Sequence, residues 1–465
     1  MNIKFGTDGW RAIIAKEFTV DNVLRVAEAT ALWLKNNGEN HTVVVGHDCR
    51  FGGEMFAQAT SMALASAGYK VVLAKDFVST PMVSLGTVEY GATLGIVLTA
   101  SHNPPAYNGY KIKAHFGGPM LPDQIAEVEA LIPEKSKFTY SDEAFEALVK
   151  EGKIVYKDLE QLYIDAVEKT FDIQAIKDSG LRLAYDAMYG AGQNVVKRLF
   201  PDATFLHCDN NPSFMGQAPE PIHKNLLELS NLIKTRGDID CALATDGDAD
   251  RIGLYNSKGE FVDSHHIILL LIKYLVEHKK YDGKVVAAFS TSVKIEKMCK
   301  HFGLEHEVVK IGFKYICGHM VKEDVLLGGE ESGGIAIKGH IPERDGIWMG
   351  LVIWEYMAKT GKSLEALIDE VYALVGTFAF HRNDLHLSEA QKQAALDKCA
   401  AGLESFGEYK VVKEDQTDGF KYFINDDEWI MIRPSGTEPV LRTYAEAATL
   451  DKAKAMLDAC KATIV

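Results

Sequence analysis

Asp246, Asp248 and Asp250 place three carboxylates at alternate positions in Thr245-Asp246-Gly247-Asp248-Ala249-Asp250-Arg251, directly after the apolar run Cys241 to Ala244. Carboxylates that close repel one another, and a hard divalent cation such as magnesium is the natural compensation. The EF-hand template does not fit, because its sixth position is Arg251 rather than glycine and its twelfth is Ser257 rather than glutamate. A solvated acidic turn is the plain alternative. Arg251 could hold an anion beside the metal.

Ser101 lies in Thr99-Ala100-Ser101-His102-Asn103-Pro104-Pro105, where the prolines stiffen a turn that would expose its hydroxyl. That suits a covalent nucleophile, although serine is also ordinary at the start of a loop. Neither a glycine-flanked elbow nor a nearby carboxylate completes a hydrolase triad. Glu330, Glu331 and Ser332 stand among four glycines in Gly328 to Gly334, a backbone that a ligand can approach closely. Two carboxylates and a hydroxyl match sugar hydroxyls, unless the turn simply faces water. In Arg433-Pro434-Ser435-Gly436-Thr437-Glu438-Pro439, a guanidinium, two hydroxyls and backbone N–H groups are donors for a phosphate, and Arg442 could add a second fork.

The elements that must carry these loops repeat. Strand, helix and strand follow one another at Thr42 to Val45, Glu54 to Ser66 and Tyr69 to Ala74, with a later strand at Leu94 to Leu98. The plan recurs from Leu181 to Tyr185 through a helix ending at Leu199 to a later strand Cys241 to Ala244. It recurs again from Val285 to Phe289 through Glu307 to Lys310 to Val325 to Leu327. Each later strand ends at one of the first three loops, and ligands of open α/β sheets sit outside the carboxyl ends of strands. The stretch 133–158 reads as a charged linker. From about Gly376 the texture changes to a smaller α+β unit, with a helix at Ser388 to Leu403, strands at Tyr409 to Lys413 and Trp429 to Ile432, and a last helix from Leu450. The expected fold is therefore α/β: three similar mixed-sheet domains in series (1–145, 146–253 and 254–372) and a C-terminal α+β domain (373–465), around a central cleft.

Composition narrows the partners. The 465 residues are enough for about three or four domains, and 47% hydrophobic with 25% charged residues is the balance of a globular protein. A net charge of −15 disfavours nucleic acid and anionic membrane. The apolar runs Ile267 to Ile272 and Gly346 to Trp354 fall short of a spanning helix. Seven scattered cysteines without a Cys-x-x-Cys pair, and charge and glycine in Met1 to Asp8 where a signal peptide is apolar, lead us to expect a reducing, cytoplasmic setting.

Taken in order, these loops resemble the α-D-phosphohexomutase family over nearly the whole chain, and most of all its phosphoglucomutase and phosphomannomutase members. The resemblance implies that Ser101 is the phosphorylated serine and that Ser101, Asp246, Asp248 and Asp250 hold magnesium. It implies a catalytic neighbourhood of His102, Arg11 in Gly9-Trp10-Arg11 and Lys111 in Asn108-Gly109-Tyr110-Lys111, with Lys111 or Arg11 as proton acceptor. Substrate binding falls to Glu330 and Ser332 at the sugar, Lys310 and Arg251, and His340 and Arg344 in Gly339 to Gly346. Arg433, Ser435, Gly436, Thr437 and Arg442 take the phosphate. The implied reaction interconverts hexose 1-phosphate and hexose 6-phosphate through a hexose 1,6-bisphosphate, which also serves as activator. Phosphorylated hexoses are the expected partners, with glucose first and a phosphomannomutase or phosphoglucosamine mutase as the alternative; the Glu-Glu-Ser core is similar to phosphoglucomutases, and phosphoglucosamine mutases usually lack Tyr110. A magnesium-dependent phosphatase with Asp246 as nucleophile would leave Ser101 and the Glu330 loop unused. A silent sugar-phosphate binder would not need both Ser101 and three aspartates.

Overall fold

A computed structural model describes residues 3–37, 41–434 and 440–465. Val43, Val44 and Val45 are wholly buried, as strands covered on both faces require. Their strand Thr42–His47 lies inside a six-stranded sheet, parallel to Lys70–Ala74 on one side and to Leu94–Leu98 on the other. Leu94–Leu98 then pairs antiparallel with the return strand Tyr107–Ala114. The second sheet repeats this order around Leu183–Asp186, with Thr204–Leu206 and Cys241–Thr245 as parallel neighbours and Ile252–Asn256 as the return strand. In the third, Lys284–Ala288 is flanked by His306–Val309 and Val325–Gly329, and Ile335–Ile337 returns. The fourth sheet is antiparallel, in the order Ala379–His386, Val440–Ala447, Trp429–Pro434, Phe420–Phe423, Lys413–Asp415. Helices Glu389–Ala400 and Leu450–Ile464 supply buried side chains to its core. The chain thus has three mixed α/β domains in series and a smaller C-terminal domain.

Two expectations shift. The stretch 133–158 is no linker: it holds helix Asp142–Lys150 and strand Ile154–Lys157, which extends the first sheet beside Lys70–Ala74. The boundary expected at 145 therefore falls inside a helix, and the one at 253 falls inside Ile252–Asn256, whose partner Phe261–Val262 still belongs to the second sheet. Tyr409 to Lys413 does not make one strand. It divides between Tyr409–Lys410, in a two-stranded ribbon, and Lys413–Asp415.

The first three domains share one continuous core, running from Val44 and Val97 through Tyr185 and Leu243 to Ile268 and Trp354, and the fourth has its own. The apolar runs explain themselves here. Helices Ser264–Glu277 and Gly346–Thr360 are buried almost all round, the second capped by Asp345 accepting from Trp348 N–H. Among the described residues no helix is long and apolar enough to cross a membrane.

Candidate active site

Three loops occupy the same place in the first three sheets, each joining a later strand to its return strand. Each contains a residue in the left-handed region: Ser101 at φ 52°, Ala249 at φ 56° and Gly333 at φ 88°. For Ser101 and Ala249 this is a strained conformation of the kind held at functional sites. The first two loops touch through backbone. A Cβ on Gly247 would lie 2.5 Å from the Ser101 carbonyl oxygen, so only glycine permits the approach.

Residues far off in sequence fix the Ser101 turn. The Arg50 guanidinium donates to the carbonyls of Ser101 (2.5 Å), Asn103 (2.7 Å), Pro104 (2.9 Å) and Tyr107 (3.0 Å). Asp48 holds Arg50 Nε at 3.2 Å and accepts from Thr99 Oγ1, which in turn accepts the Ser101 N–H at 2.9 Å. Ser101 is only 1% exposed, whereas the turn was expected to leave its hydroxyl open. The reason is the second domain: Ser101 Oγ donates to Asp246 Oδ2 at 2.7 Å, and His102 Nδ1 lies 3.3 Å from the same hydroxyl oxygen.

The three aspartates are wholly buried, and one carboxylate oxygen of each lies within 4.8 Å of the others. Burial, then the charges of Asp248 and Asp250, push the Asp246 carboxyl well above its usual range. Burial also opposes charge on Asp248, but the Lys111 ammonium outweighs it and holds that carboxyl low. Asp248 Oδ2 takes Thr80 Oγ1 (2.5 Å) and Lys111 Nζ (2.7 Å), and Asp250 Oδ2 takes Lys111 Nζ (3.1 Å) and Arg344 Nη2 (2.8 Å). The remaining oxygens, Oδ1 of Asp248 and of Asp250, are buried with no hydrogen-bond partner among the described residues. Two orphaned carboxylate oxygens beside a third carboxylate are a donor set for a hard cation.

Lys111 lies among Asp8 (2.8 Å), Asp248 and Asp250. Burial alone would lower its pKa, but the three carboxylates raise it, so the ammonium keeps its proton. The general-base role expected of Lys111 does not suit that setting. His102 is driven the other way: burial first, then the cations Arg251, Arg11, Lys111 and Arg50, hold its pKa well below the usual imidazole range. Arg11 donates to Asn103 Oδ1 at 2.8 Å. Its Nε and that of Arg251 are buried with no hydrogen-bond partner among the described residues, leaving donors for an anion beside Ser101.

Glu330 accepts the Gly312 N–H at 3.1 Å, with Arg344 Nη1 3.8 Å away, and burial pushes its carboxyl up to about 7. Glu331 accepts Ser290 Oγ–H, and Ser332 is half-buried in the same loop. Arg433 Nε meets Asp418 Oδ1 at 3.1 Å, and Arg442 Nε lies 3.7 Å from Asp384. Burial raises the Tyr444 hydroxyl's pKa and the charge of Glu331 adds to that, while the charges of Arg382, Arg442 and Arg433 oppose it. Lys310 is exposed, one residue before Ile311, whose N–H donates to Asp418. Ser435, Gly436 and Thr437 lie outside the described residues.

Of two further expected substrate residues, one serves the fold and the other is paired within the site itself. His340 stacks on Trp348 at 3.7 Å and bonds Asp345, the helix cap, so its ring serves the fold. The Arg344 side chain, 4% exposed, is shared among Asp8, Asp250, Glu330 and Glu343. Asp8, Asp48, Arg50, Thr80 and Arg382 were not singled out from sequence. The one available signal was Gly46-His47-Asp48, which ends the first strand at the same edge as the loops.

Models of phosphoglucomutase/phosphomannomutase α/β/α domains I, II and III match residues 2–139, 161–259 and 263–375, and that of the C-terminal domain matches 386–462. The chain belongs to the phosphoglucomutase/phosphomannomutase family. The three loops lie within the spans matched by domains I, II and III, and Arg433 and Arg442 within that of the C-terminal domain. A Thermococcus kodakarensis protein named phosphoglucomutase/phosphomannomutase is 32% identical over 460 residues, 98% of this chain and 96% of its own length. A Sulfurisphaera tokodaii phosphoglucosamine/phosphogalactosamine mutase is 30% identical over 451 residues, 95% of each. A solved structure from Thermus thermophilus that bears the name putative phosphomannomutase is 34% identical, with a TM-score of 0.87 over 100% of this chain and 99% of that one.

Proposed function

We propose that this phosphohexomutase moves a phosphoryl group between the C1 and C6 oxygens of an aldohexose phosphate, with Ser101 as carrier. The observation that carries the reading is Ser101 Oγ at 2.7 Å from Asp246, beside two buried carboxylate oxygens that have no partner among the described residues. In the forward half-reaction the bond from Ser101 Oγ to phosphorus breaks as the free sugar hydroxyl bonds to it, giving a hexose 1,6-bisphosphate. The sugar hydroxyl loses its proton as that bond forms and Ser101 Oγ must gain one as it leaves; the neutral His102 ring, its Nδ1 3.3 Å from Ser101 Oγ, is placed to deliver the proton to the serine oxygen. The bisphosphate then presents its other end, and Ser101 recovers a phosphoryl group. A magnesium ion held by Ser101, Asp246, Asp248 and Asp250 would offset charge on the phosphoryl oxygens. Arg11 and Arg251 offer donors on the same side, and burial of Ser101 keeps water from intercepting the phosphoryl group.

The reading of the sugar changes. Relatives named phosphoglucomutase/phosphomannomutase and phosphoglucosamine/phosphogalactosamine mutase support the mannose or glucosamine alternative better than the glucose first expected. Glu330 and Glu331 supply acceptors that fit hydroxyl or ammonium donors of either. The test is a coupled assay of mannose, glucosamine and glucose 1-phosphates with catalytic bisphosphate, alongside intact mass of the protein incubated with bisphosphate. We expect one added phosphoryl group, absent in Ser101→Ala, and turnover lost in that variant. A Ser101→Ala protein that still turns over or still gains the mass removes Ser101 as carrier.

A further inference from the structure

Asp8 sits in the N-terminal segment, outside every loop to which a role has been given, yet its carboxylate meets three cations of the site. Its Oδ2 lies 2.8 Å from Lys111 Nζ, 2.5 Å from Arg344 Nη2 and 3.8 Å from Arg11 Nη2. Two of these cations also hold the aspartate loop, and always by the same oxygen. Lys111 takes Oδ2 of Asp248 and of Asp250, and Arg344 takes Oδ2 of Asp250, while both Oδ1 atoms stay buried and unpartnered among the described residues. A carboxylate fixed through one oxygen presents the other in a set direction, as partners behind metal ligands commonly arrange.

We propose that Asp8 is a positioning residue for cation binding: by sharing Lys111 and Arg344 with Asp248 and Asp250, it keeps one oxygen of each aspartate turned to the cation. Without it, two positive side chains would lean more heavily on the aspartate loop. They would compete with the cation for those carboxylates and add uncompensated positive charge beside it. The network spans domains, since Asp8 and Lys111 belong to the first sheet's domain, Asp248 and Asp250 to the second and Arg344 to the third. The pairing therefore also registers the first loop against the second. Asp8 touches neither substrate nor cation in this scheme, and its effect passes through Lys111 and Arg344.

The inference rests on the aspartate loop being a cation site, and the experiment separates the two. Mn2+ is titrated into dephosphorylated protein and followed by the electron paramagnetic resonance signal of the free ion, with no substrate present. Asp248→Ala should lose the site; if it binds Mn2+ as the parent does, the cation reading itself fails. With that control met, Asp8→Asn should weaken Mn2+ binding by about tenfold to a hundredfold. Asp8→Glu, which keeps the charge, should recover most of the loss while the thermal midpoints of the three proteins stay together. Parental Mn2+ affinity in Asp8→Asn overturns the proposal. Should that variant not fold, Asp8→Ser carries the same reading, and parental affinity there overturns it equally.

Discussion

Arg50 does more for Ser101 than any residue near it in sequence. One planar guanidinium satisfies four carbonyls of the turn, and a lysine could not, since a single ammonium cannot reach along both edges of the loop. Arg50→Lys should therefore leave the charge and let the turn relax, displacing Ser101 Oγ from Asp246. A shift of about 1 Å at a reacting atom costs roughly a hundredfold in rate. We expect kcat to fall by that order while KM for the hexose phosphate changes less, in steady-state assays with saturating bisphosphate. An unchanged kcat would show that the turn holds its shape without Arg50. The contrast with Ser101 marks what was legible at this scale. Ser101, Asp246, Asp248, Asp250 and Glu330 could be picked out because their chemistry lies within short loops. Asp8, Arg50 and Thr80 could not, because an ordinary acid, base or hydroxyl acquires its role only from partners far away in the chain. Lys111 was seen, but its protonation state was misjudged for the same reason: two of its three carboxylates come from another domain.

At the scale of the element, the repeats were readable because parallel strands covered on both faces appear as unbroken apolar runs, as in Val43 to Val45. Strand Ile154–Lys157 was not, since only its first residue is buried and the rest is half-open edge carrying Tyr156 and Lys157. Helix Gly346–Thr360 shows a polar group deciding an apolar element. Its Glu355 is 1% exposed, accepting from Tyr274 Oη at 2.6 Å, with Lys279 at 2.8 Å and Lys359 at 2.9 Å. Burial pushes its carboxyl up, but hydrogen bonds from Lys279, Tyr274 and Lys359 outweigh that and hold it at about 2. A depressed carboxyl adds stability above the unfolded value, near roughly 4.3, and that stability disappears as pH falls through the window toward 2. The shift alone converts to roughly 3 kcal/mol, and solvent around the lysines reduces it to about 2 kcal/mol. Glu355→Gln should accordingly lower the thermal midpoint at pH 7, and the gap between variant and parent should narrow as pH drops from about 5 to about 3. A gap that stays constant over that range would mean the ion pairs contribute nothing to stability.

Over the whole molecule, the fourth domain is fastened to the third by a buried polar seam inside an apolar cluster. Lys421 Nζ donates to the carbonyls of Phe289 (3.0 Å) and Thr291 (3.2 Å) and lies 3.8 Å above the Trp429 ring. Glu446 accepts from Ser292 Oγ and Trp429 Nε1, each at 2.7 Å. Phe289, Trp429, Met431 and Tyr444 close the apolar part. Beyond this seam, Arg382 comes within 4.0 Å of Glu220 in the second domain and Arg433 shares Asp418 with the Ile311 N–H. A chain at −15 must bind a dianion against its own field, so the phosphate that is not reacting needs such local guanidinium donors. In the proposed mechanism the intermediate turns round between half-reactions, so the same grip would serve whichever phosphate lies far from Ser101. Loss of Arg433 should therefore lower kcat/KM in both directions of the isomerisation, by about the 1.5–3 kcal/mol of a charged hydrogen bond, or one to two decades. Arg433→Lys should recover only part, lacking the fork. If Arg433→Ala keeps parental kcat/KM with both the 1-phosphate and the 6-phosphate, Arg433 serves only its pairing with Asp418, and the far phosphate must be held by Arg382 or Arg442 instead.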